Sequence, residues 1–184
     1  FNFMDGIDGI VGVQTASIGI GLSLLSVLGE IKEAWFAFGL TLAAAAFGFL
    51  RWNWYPARIF LGDVGSIPLG FLIGWLLLSL AAEGQPLPAL ILPLYFIVDA
   101  SITLIRRVFR GEKIWMAHRQ HFYQIAVQRG MRHDQVSGII AILNIFLIAL
   151  ALVSVRGFPL EVFFGALIAV LLSALFLSKG RPKV

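Results

Sequence analysis

The sequence predicts an all-α fold, a polytopic bundle of about six transmembrane helices that forms a single membrane domain over residues 1–184. Hydrophobic residues make up 59% of the chain, and its mean hydropathy is +0.91. Charged residues make up only 13%, whereas about a quarter of the residues of a soluble domain are charged. The charges are too few to cover a water-exposed surface, and the apolar residues gather in segments long enough to cross a membrane.

Each predicted span approaches the roughly 20 apolar residues that a helix needs to cross a bilayer core of about 30 Å. The predicted spans are residues 9–29, 34–50, 66–82, 88–105, 135–154 and 158–178. Any one of them could be a buried helix of a soluble protein, but six in succession with almost no charged face favour a membrane bundle. Glycines concentrate in the first span, where small residues allow close contact between helices.

Basic residues predict how the bundle is oriented. If residues 1–8 lie in the cytoplasm, the inner segments are loops 51–65 and 106–134 and the tail 179–184. Only Lys32 and Arg156 then lie outside, so the charges follow the positive-inside rule. The other 12 of the 14 lysines and arginines lie inside: Arg51, Arg58, Arg106, Arg107, Arg110, Lys113, Arg119, Arg129, Arg132, Lys179, Arg181 and Lys183. Because the outer loops are short, we expect the active face to be cytoplasmic.

Composition excludes several classes of function. A pI near 9.9 reflects basic residues collected on one side of a membrane, so no nucleic-acid partner is predicted. The chain has no cysteine, which excludes disulfides, thiolate metal sites and cysteine nucleophiles. It opens inside a motif and without an initiator methionine, so we expect it to be the C-terminal part of a longer protein.

The first polar motif is residues 2–9, Asn-Phe-Met-Asp-Gly-Ile-Asp-Gly, directly before the first span. Asp5 and Asp8 are three residues apart, so both carboxylates can lie on one face or turn and converge on one partner. One of them could instead only cap the following helix. Two acids and the amide of Asn2 at a membrane boundary favour a cation or a hydrogen-bonding ligand.

The second polar motif is residues 60–66, Phe-Leu-Gly-Asp-Val-Gly-Ser, between the second and third spans. Asp63 lies between two glycines, where its carboxylate can be exposed. Such a loop suits Mg²⁺, which takes one or two carboxylates together with substrate oxygens and water. We also expect Ser66 to be the N-cap of the third helix, with Pro68 in its first turn.

The third polar motif lies in the long inner loop 106–134, which contains Arg110, Lys113 and, near its middle, residues 118–124, His-Arg-Gln-His-Phe-Tyr-Gln. The spacing of His118 and His121 predicts that they share a helix face, beside Arg119. A zinc site has no obvious third ligand here. Phosphate or diphosphate binding suits these groups better, while a basic segment resting on anionic lipid headgroups is the alternative. Tyr123 and Gln124 favour a substrate site.

Asp99 is an ionisable residue inside the fourth span. Such a residue usually faces the bundle interior and has a partner. It could bond a neighbouring helix, or it could line the path of a transporter or channel, which is the alternative function that the sequence offers. A transporter should place its polar residues near the bilayer midplane, and here almost all of them lie at one face. A noncatalytic lipid-binding scaffold is a third possibility.

Together, the three motifs resemble the polyprenyl-phosphate N-acetylhexosamine-1-phosphate transferases, glycosyltransferase family 4, in their order, face and spacing. The resemblance implies a bacterial inner-membrane enzyme that transfers a sugar 1-phosphate from a UDP-N-acetylhexosamine to undecaprenyl or another polyprenyl phosphate, releasing UMP. The product would begin a cell-surface polysaccharide or peptidoglycan intermediate. A homodimer and contacts with membrane lipid are further expectations.

The resemblance also implies roles for individual residues. Mg²⁺, or alternatively Mn²⁺, would bind Asp63, with Asn2 completing the metal environment. Asp5 and Asp8 would contact the nucleotide sugar, and Phe60 would lie near the uracil. The loop with His118 and His121 would hold donor or acceptor phosphates. The implied catalytic set is Asp63, Asp5, Asp8, His118 and His121; the implied substrate-binding set is Asn2, Phe60, Arg119, Tyr123, Arg110 and Lys113.

Two departures from the family pattern bear on activity. The family's upstream adjacent-aspartate motif is absent from these residues, so we expect the 184 residues alone to be inactive. The histidine motif resembles the branch that begins surface polysaccharides such as O-antigen more than the histidine-rich cluster of the muramoyl-pentapeptide enzymes. The sugar is therefore left open among GlcNAc, FucNAc and QuiNAc.

Overall fold

The structure, a computed structural model, describes residues 1–116, 118–157 and 159–179, and within these ranges every regular element is helical. A short 3₁₀ helix over Asn2–Met4 precedes eight α-helices. They are α1 (Ile10–Val27), α2 (Ala34–Asn53), α3 (Gly62–Ala82), α4 (Pro86–Ile91), α5 (Leu94–Phe109), α6 (Phe122–Gln128), α7 (His133–Ser154) and α8 (Pro159–Lys179). The predicted all-α membrane bundle is confirmed.

Five helices are long and apolar enough to cross a membrane: α1, α2, α3, α7 and α8. The predicted fourth span, residues 88–105, is not one continuous helix, because the chain breaks between α4 and α5. Pro93 lies at this break and is the N-cap of α5. Proline has no backbone N–H to continue a helical ladder, and its ring obstructs the preceding turn, so the break follows from this residue.

Side chains from two other helices bridge the break. Nε2 of Gln14 on α1 donates to the backbone carbonyl of Leu92 at 3.0 Å. Nδ2 of Asn144 on α7 donates in turn to Oε1 of Gln14 at 3.1 Å. Gln14 and Asn144 are both buried. A carbonyl freed inside a membrane protein needs such an internal partner, because lipid supplies none.

Helices α1 and α2 approach each other closely at a pair of glycines. A Cβ atom placed on Gly39 would lie 2.5 Å from the carbonyl oxygen of Gly19, and one placed on Gly19 would lie 2.6 Å from the carbonyl oxygen of Gly39. Only residues without a side chain fit there. The expectation that glycines in the first span allow close helix contact is confirmed at Gly19.

The third helix starts earlier than predicted. It begins at Gly62 rather than at residue 66, so Asp63 lies in its first turn and not in a loop. Ser66 is therefore inside the helix and buried, and its predicted role as N-cap is wrong. Its hydroxyl instead donates to Oδ1 of Asn2 at 2.7 Å. Pro68 likewise lies within α3 and beyond its first turn.

Candidate functional site

The three polar motifs meet at one end of the bundle. The segment before α1 is held on one side by α3, through the hydrogen bond from Ser66 to Asn2. It is held on the other side by α6, because the hydroxyl of Tyr123 donates to the carbonyl of Phe3 at 3.1 Å. A Cβ atom on Gly6 would collide with the Tyr123 hydroxyl, so only glycine permits this approach.

Asp5 and Asp63 are close enough for their charges to interact. Asp5 is half-buried, and burial raises the pKa of its carboxyl; the negative charge of Asp63 raises that pKa further. Asp63 is exposed in the first turn of α3. Two carboxylates that repel each other at an open surface attract a cation, so this pair is where the first and second motifs can share a ligand.

Asp8 has a different environment from Asp5. Its Oδ2 accepts a hydrogen bond from the backbone N–H of Ala57 at 3.0 Å, and its Oδ1 lies 3.2 Å from Nδ1 of His133 at the start of α7. Its backbone carbonyl accepts from the hydroxyl of Ser137 at 2.8 Å. The carboxylate of Asp8 thus joins the α2–α3 connection to α7, and its predicted contact with the nucleotide sugar stays a prediction.

Neither acid caps the first helix. The N-cap of α1 is Gly9, whose φ of 81° is a left-handed conformation that favours glycine. Its N–H donates to Oδ1 of Asn53 at 2.9 Å. The simple alternative, that Asp5 or Asp8 is present only to cap α1, is therefore wrong.

The two histidines do not share a helix face as predicted. His118 precedes α6, while His121 is its N-cap. Their rings still lie together, with centroids 4.9 Å apart, and the His121 ring stacks on that of Tyr123 at 5.7 Å. Burial lowers the pKa of His118, the positive charge of Arg107 and that of His121 lower it further, and Glu112 opposes them.

Asp99 lies inside the bundle, and its carboxylate reaches the third motif. Its Oδ1 is 3.0 Å from Nδ1 of His121 and accepts the backbone N–H of Phe122 at 3.2 Å. It is fully buried and also accepts hydrogen bonds from the hydroxyls of Tyr95 and Thr103. The partner of Asp99, which the sequence left open, is thus the start of α6. A carboxylate surrounded by these donors does not favour the alternative that Asp99 lines the path of a transporter or channel.

Arg107 organises the basic loop, a role that the sequence interpretation missed. Its side chain is only 4% exposed and pairs with Glu112, Nε to Oε2, at 2.9 Å. Its other nitrogens donate to the carbonyls of Met116 and Lys113 at 3.0 and 2.8 Å. Hydrogen bonds from Arg107 and then Gln120 lower the pKa of Glu112. Glu112, the one acid among the basic residues of the segment 106–119, was the signal that could have revealed this pairing.

Four predicted substrate-binding residues lie at the surface. Arg110, Lys113 and Arg119 are exposed around the loop, and Arg110 lies 4.0 Å from Glu112. Phe60 precedes α3 with 75% of its surface exposed. Within the described residues, no hydrogen bond or ion pair joins these four side chains to Asp5 or Asp63, so their roles remain predictions.

The oxygen atoms of Asp5, Asp63 and Asn2 can be compared with the ligands that Mg²⁺ needs. In the part of the chain that the structure describes, no group of three or more His, Asp or Glu side chains forms a metal-binding cluster. Mg²⁺ nevertheless needs only one or two carboxylates when substrate oxygens and water complete its shell. Asp5 and Asp63 fit that requirement. Oδ1 of Asn2 accepts the Ser66 hydroxyl, so Asn2 would be a weaker donor.

Comparison with known proteins places this geometry in context. The sequence profile of glycosyl transferase family 4 matches residues 1–81, which include the first two motifs. The chain is 30% identical over 138 residues to the probable undecaprenyl-phosphate N-acetylglucosaminyl 1-phosphate transferase of Bacillus subtilis, covering 72% of this chain and 38% of that protein. It is also 30% identical over 158 residues to the phospho-N-acetylmuramoyl-pentapeptide-transferase of Clostridium perfringens, covering 83% and 47%.

A third relative, the phospho-N-acetylmuramoyl-pentapeptide-transferase of Salinibacter ruber, is 31% identical over 162 residues, covering 73% of this chain and 40% of that protein. The chain thus spans less than half the length of these curated relatives. No solved structure matches it significantly.

Proposed function

Because this chain belongs to glycosyl transferase family 4, we propose that its protein transfers an N-acetylhexosamine 1-phosphate from a UDP-sugar to a polyprenyl phosphate and releases UMP. The convergence of three polar motifs at one end of a membrane bundle carries the proposal. A lipid phosphate and a water-soluble nucleotide sugar can meet only at such a boundary. The product would be a lipid-linked precursor of a cell-surface polysaccharide or of peptidoglycan.

Charge neutralisation is the main demand of this reaction. Phosphoryl transfer depends on alignment and electrostatic stabilisation more than on covalent help from the protein. Asp63, with Asp5 beside it, would hold Mg²⁺, and the ion would neutralise charge on the diphosphate of the donor when bound. Burial and then the negative charge of Asp63 raise the pKa of Asp5, and a cation bound between the two carboxylates would offset the second effect.

The remaining residues would bind and orient the two substrates. The loop organised by Arg107 presents Arg110, Lys113 and Arg119 at the surface, where cationic groups can hold phosphate oxygens. Burial and then the charge of Arg107 lower the pKa of His118, which favours the neutral ring, and a neutral ring can accept a hydrogen bond. Phe60, exposed before α3, offers an aromatic face to the uracil.

Substitution of Asp63 tests the proposal in the full-length protein. Purified enzyme is assayed for UMP release with undecaprenyl phosphate and a panel of UDP-N-acetylhexosamines in Mg²⁺. We expect Asp63→Asn to lower kcat by more than about 100-fold, the size of effect seen when one transition-state contact is lost. The panel identifies the sugar, because only its natural donor should support rapid turnover.

Glu161→Gln is the matched control. Glu161 is likewise an exposed acid in the first turn of a spanning helix, α8, and the proposal gives it no role. Its variant should keep wild-type turnover. A noncatalytic lipid-binding scaffold would bind undecaprenyl phosphate and release no UMP in either form. Wild-type turnover by Asp63→Asn would contradict the proposed site.

A further inference from the structure

We propose that Asp99 is a positioning residue for His121: its buried carboxylate holds a hydrogen on Nδ1 of the ring and leaves Nε2 as the ring nitrogen available to the substrates. The inference rests on the proposed function, because the resemblance to the family is what assigns His121 to the loop that would hold donor or acceptor phosphates. Asp99 itself would touch neither substrate. Its effect on the reaction would pass entirely through the imidazole.

The surroundings of Asp99 indicate that it accepts hydrogen bonds only. Its side chain has no exposed surface, and a carboxylate buried in this way is costly unless donors surround it. The hydroxyls of Tyr95 and Thr103 donate to it from within α5, at 3.1 and 3.3 Å. The N–H of Phe122 donates to Oδ1 at 3.2 Å. Nδ1 of His121, 3.0 Å from the same oxygen, then carries a hydrogen as well.

One oxygen of Asp99 therefore fixes both the ring and the helix that carries it. The N–H of Phe122 is a free donor at the start of α6, where the helix itself offers no acceptor. The hydrogen bond from this N–H to Asp99 fixes the position of the α6 backbone relative to α5. Binding Nδ1 at the same oxygen sets the rotation of the His121 ring within that frame. A histidine whose second nitrogen is held by a carboxylate has a defined tautomer and orientation.

Other titratable groups pack around the ring without replacing this contact. The centroid of the His118 ring lies 4.9 Å from that of His121, and the Tyr123 ring stacks on the His121 ring with the centroids 5.7 Å apart. Arg107 lies near enough to His118 for its charge to lower the pKa of that ring. Among the residues that the structure describes, Asp99 is the acid bonded to the imidazole.

A double-mutant cycle in the full-length protein tests the inference. Asp99→Asn should lower kcat at least about 10-fold, as the loss of an orienting partner typically does, and leave KM for the UDP-sugar within about twofold. In a His121→Ala background the same change should cost nothing more, because the residue through which Asp99 acts is gone. If the double variant lost kcat by the product of the two single losses, the proposal would be overturned. A wild-type kcat in Asp99→Asn would also overturn it.

Thr103→Val is the matched control. It removes one hydrogen bond to the same buried carboxylate and leaves the bond to His121 in place. If Asp99 only stabilises the bundle, Thr103→Val and Asp99→Asn should differ in thermal stability but share a near wild-type kcat. If Asp99 positions His121, Thr103→Val keeps kcat and only Asp99→Asn loses it.

A measurement on the wild-type protein covers the case in which Asp99→Asn does not fold. Solid-state NMR of ¹⁵N-histidine-labelled protein at pH 9, with His121→Ala for assignment, reports which ring nitrogen carries a hydrogen. A hydrogen on Nδ1 of His121 supports the proposal, and a bare Nδ1 overturns it. This result does not depend on turnover. Failure of the wild-type protein to release UMP would therefore overturn the proposed function separately.

Discussion

Asp5 is half-buried beside Asp63, and both factors raise the pKa of its carboxyl. Between the ordinary pKa and the raised one, the folded protein binds more protons than the unfolded chain. Stability therefore falls as pH rises through that window, and ionised Asp5 is a destabilising group at neutral pH. A bound divalent cation would remove this cost, because it offsets the repulsion between the two carboxylates.

We expect Asp5→Asn to raise the thermal unfolding temperature in EDTA by about 1–3 °C, the effect of relieving one partly exposed charge pair. The neutral amide removes the repulsion from Asp63. Added Mg²⁺ should stabilise the wild-type protein more than the variant. Thermal unfolding in detergent, followed by intrinsic tryptophan fluorescence, measures both effects.

Asp134→Asn is the control for this experiment, because Asp134 is ion-paired with Arg132 at the exposed start of α7. Its loss should lower the unfolding temperature or leave it unchanged. A decrease for Asp5→Asn in EDTA would show that the two carboxylates do not repel each other.

The sequence could predict which side chains lie near one another where those side chains belong to a recognisable motif. The sequence indicated that Asp5, Asp63 and the histidine loop belong together, and the structure places these segments at one end. It could not indicate that Asp8 faces Ala57 and His133, which are 49 and 125 residues away in the sequence. Such pairings depend on how the helices cross, and no local pattern encodes that.

Helices α1 and α2 pack through Gly19 and Gly39, and this contact tolerates no side chain. A Cβ at residue 39 would lie 2.5 Å from a backbone carbonyl and 2.6 Å from Oγ of Ser23. We expect Gly39→Ala to cost about 1–3 kcal/mol, because overpacking must push the two helices apart. Thermal or denaturant unfolding of the purified protein in detergent measures this loss.

Gly48→Ala is the matched control on the same helix. A Cβ there meets no atom within 4 Å, and alanine favours a helix more than glycine does. The variant should be as stable as the wild type or slightly more stable. Equal changes in stability for Gly39→Ala and Gly48→Ala would show that the contact with Gly19 does not set the cost.

The helical type of the elements was predictable, but their number, ends and continuity were less so: six spanning helices were predicted, and five are long and apolar enough to cross a membrane. Long apolar stretches gave five spanning helices close to the predicted positions. The start of α3 was misplaced because the Gly-Asp-x-Gly-Ser sequence is typical of a turn, whereas here α3 begins at Gly62, whose φ is 59°, and continues through Gly65. The break at Pro93 is encoded by proline chemistry, but the bridge from Gln14 that stabilises it comes from a helix 78 residues away.

The whole bundle should place the three motifs on the cytoplasmic side, as the distribution of basic residues predicts. The 184 residues contain no cysteine, so single cysteines can report the orientation. We expect Lys113→Cys to react with a membrane-impermeant maleimide only in inside-out vesicles, and Glu33→Cys only in intact bacterial cells. Both positions are exposed. The opposite labelling pattern would contradict the orientation and the cytoplasmic site.

Contacts between Asp8 and the start of α7 also determine when the site can form during synthesis. The Ser137 hydroxyl and the His133 ring that hold Asp8 are encoded more than 120 residues after it. The ribosome must therefore synthesise nearly three quarters of these 184 residues before Asp8 can contact His133 and Ser137. Until then Asp8 lacks these partners, so assembly of the bundle must precede completion of the proposed site.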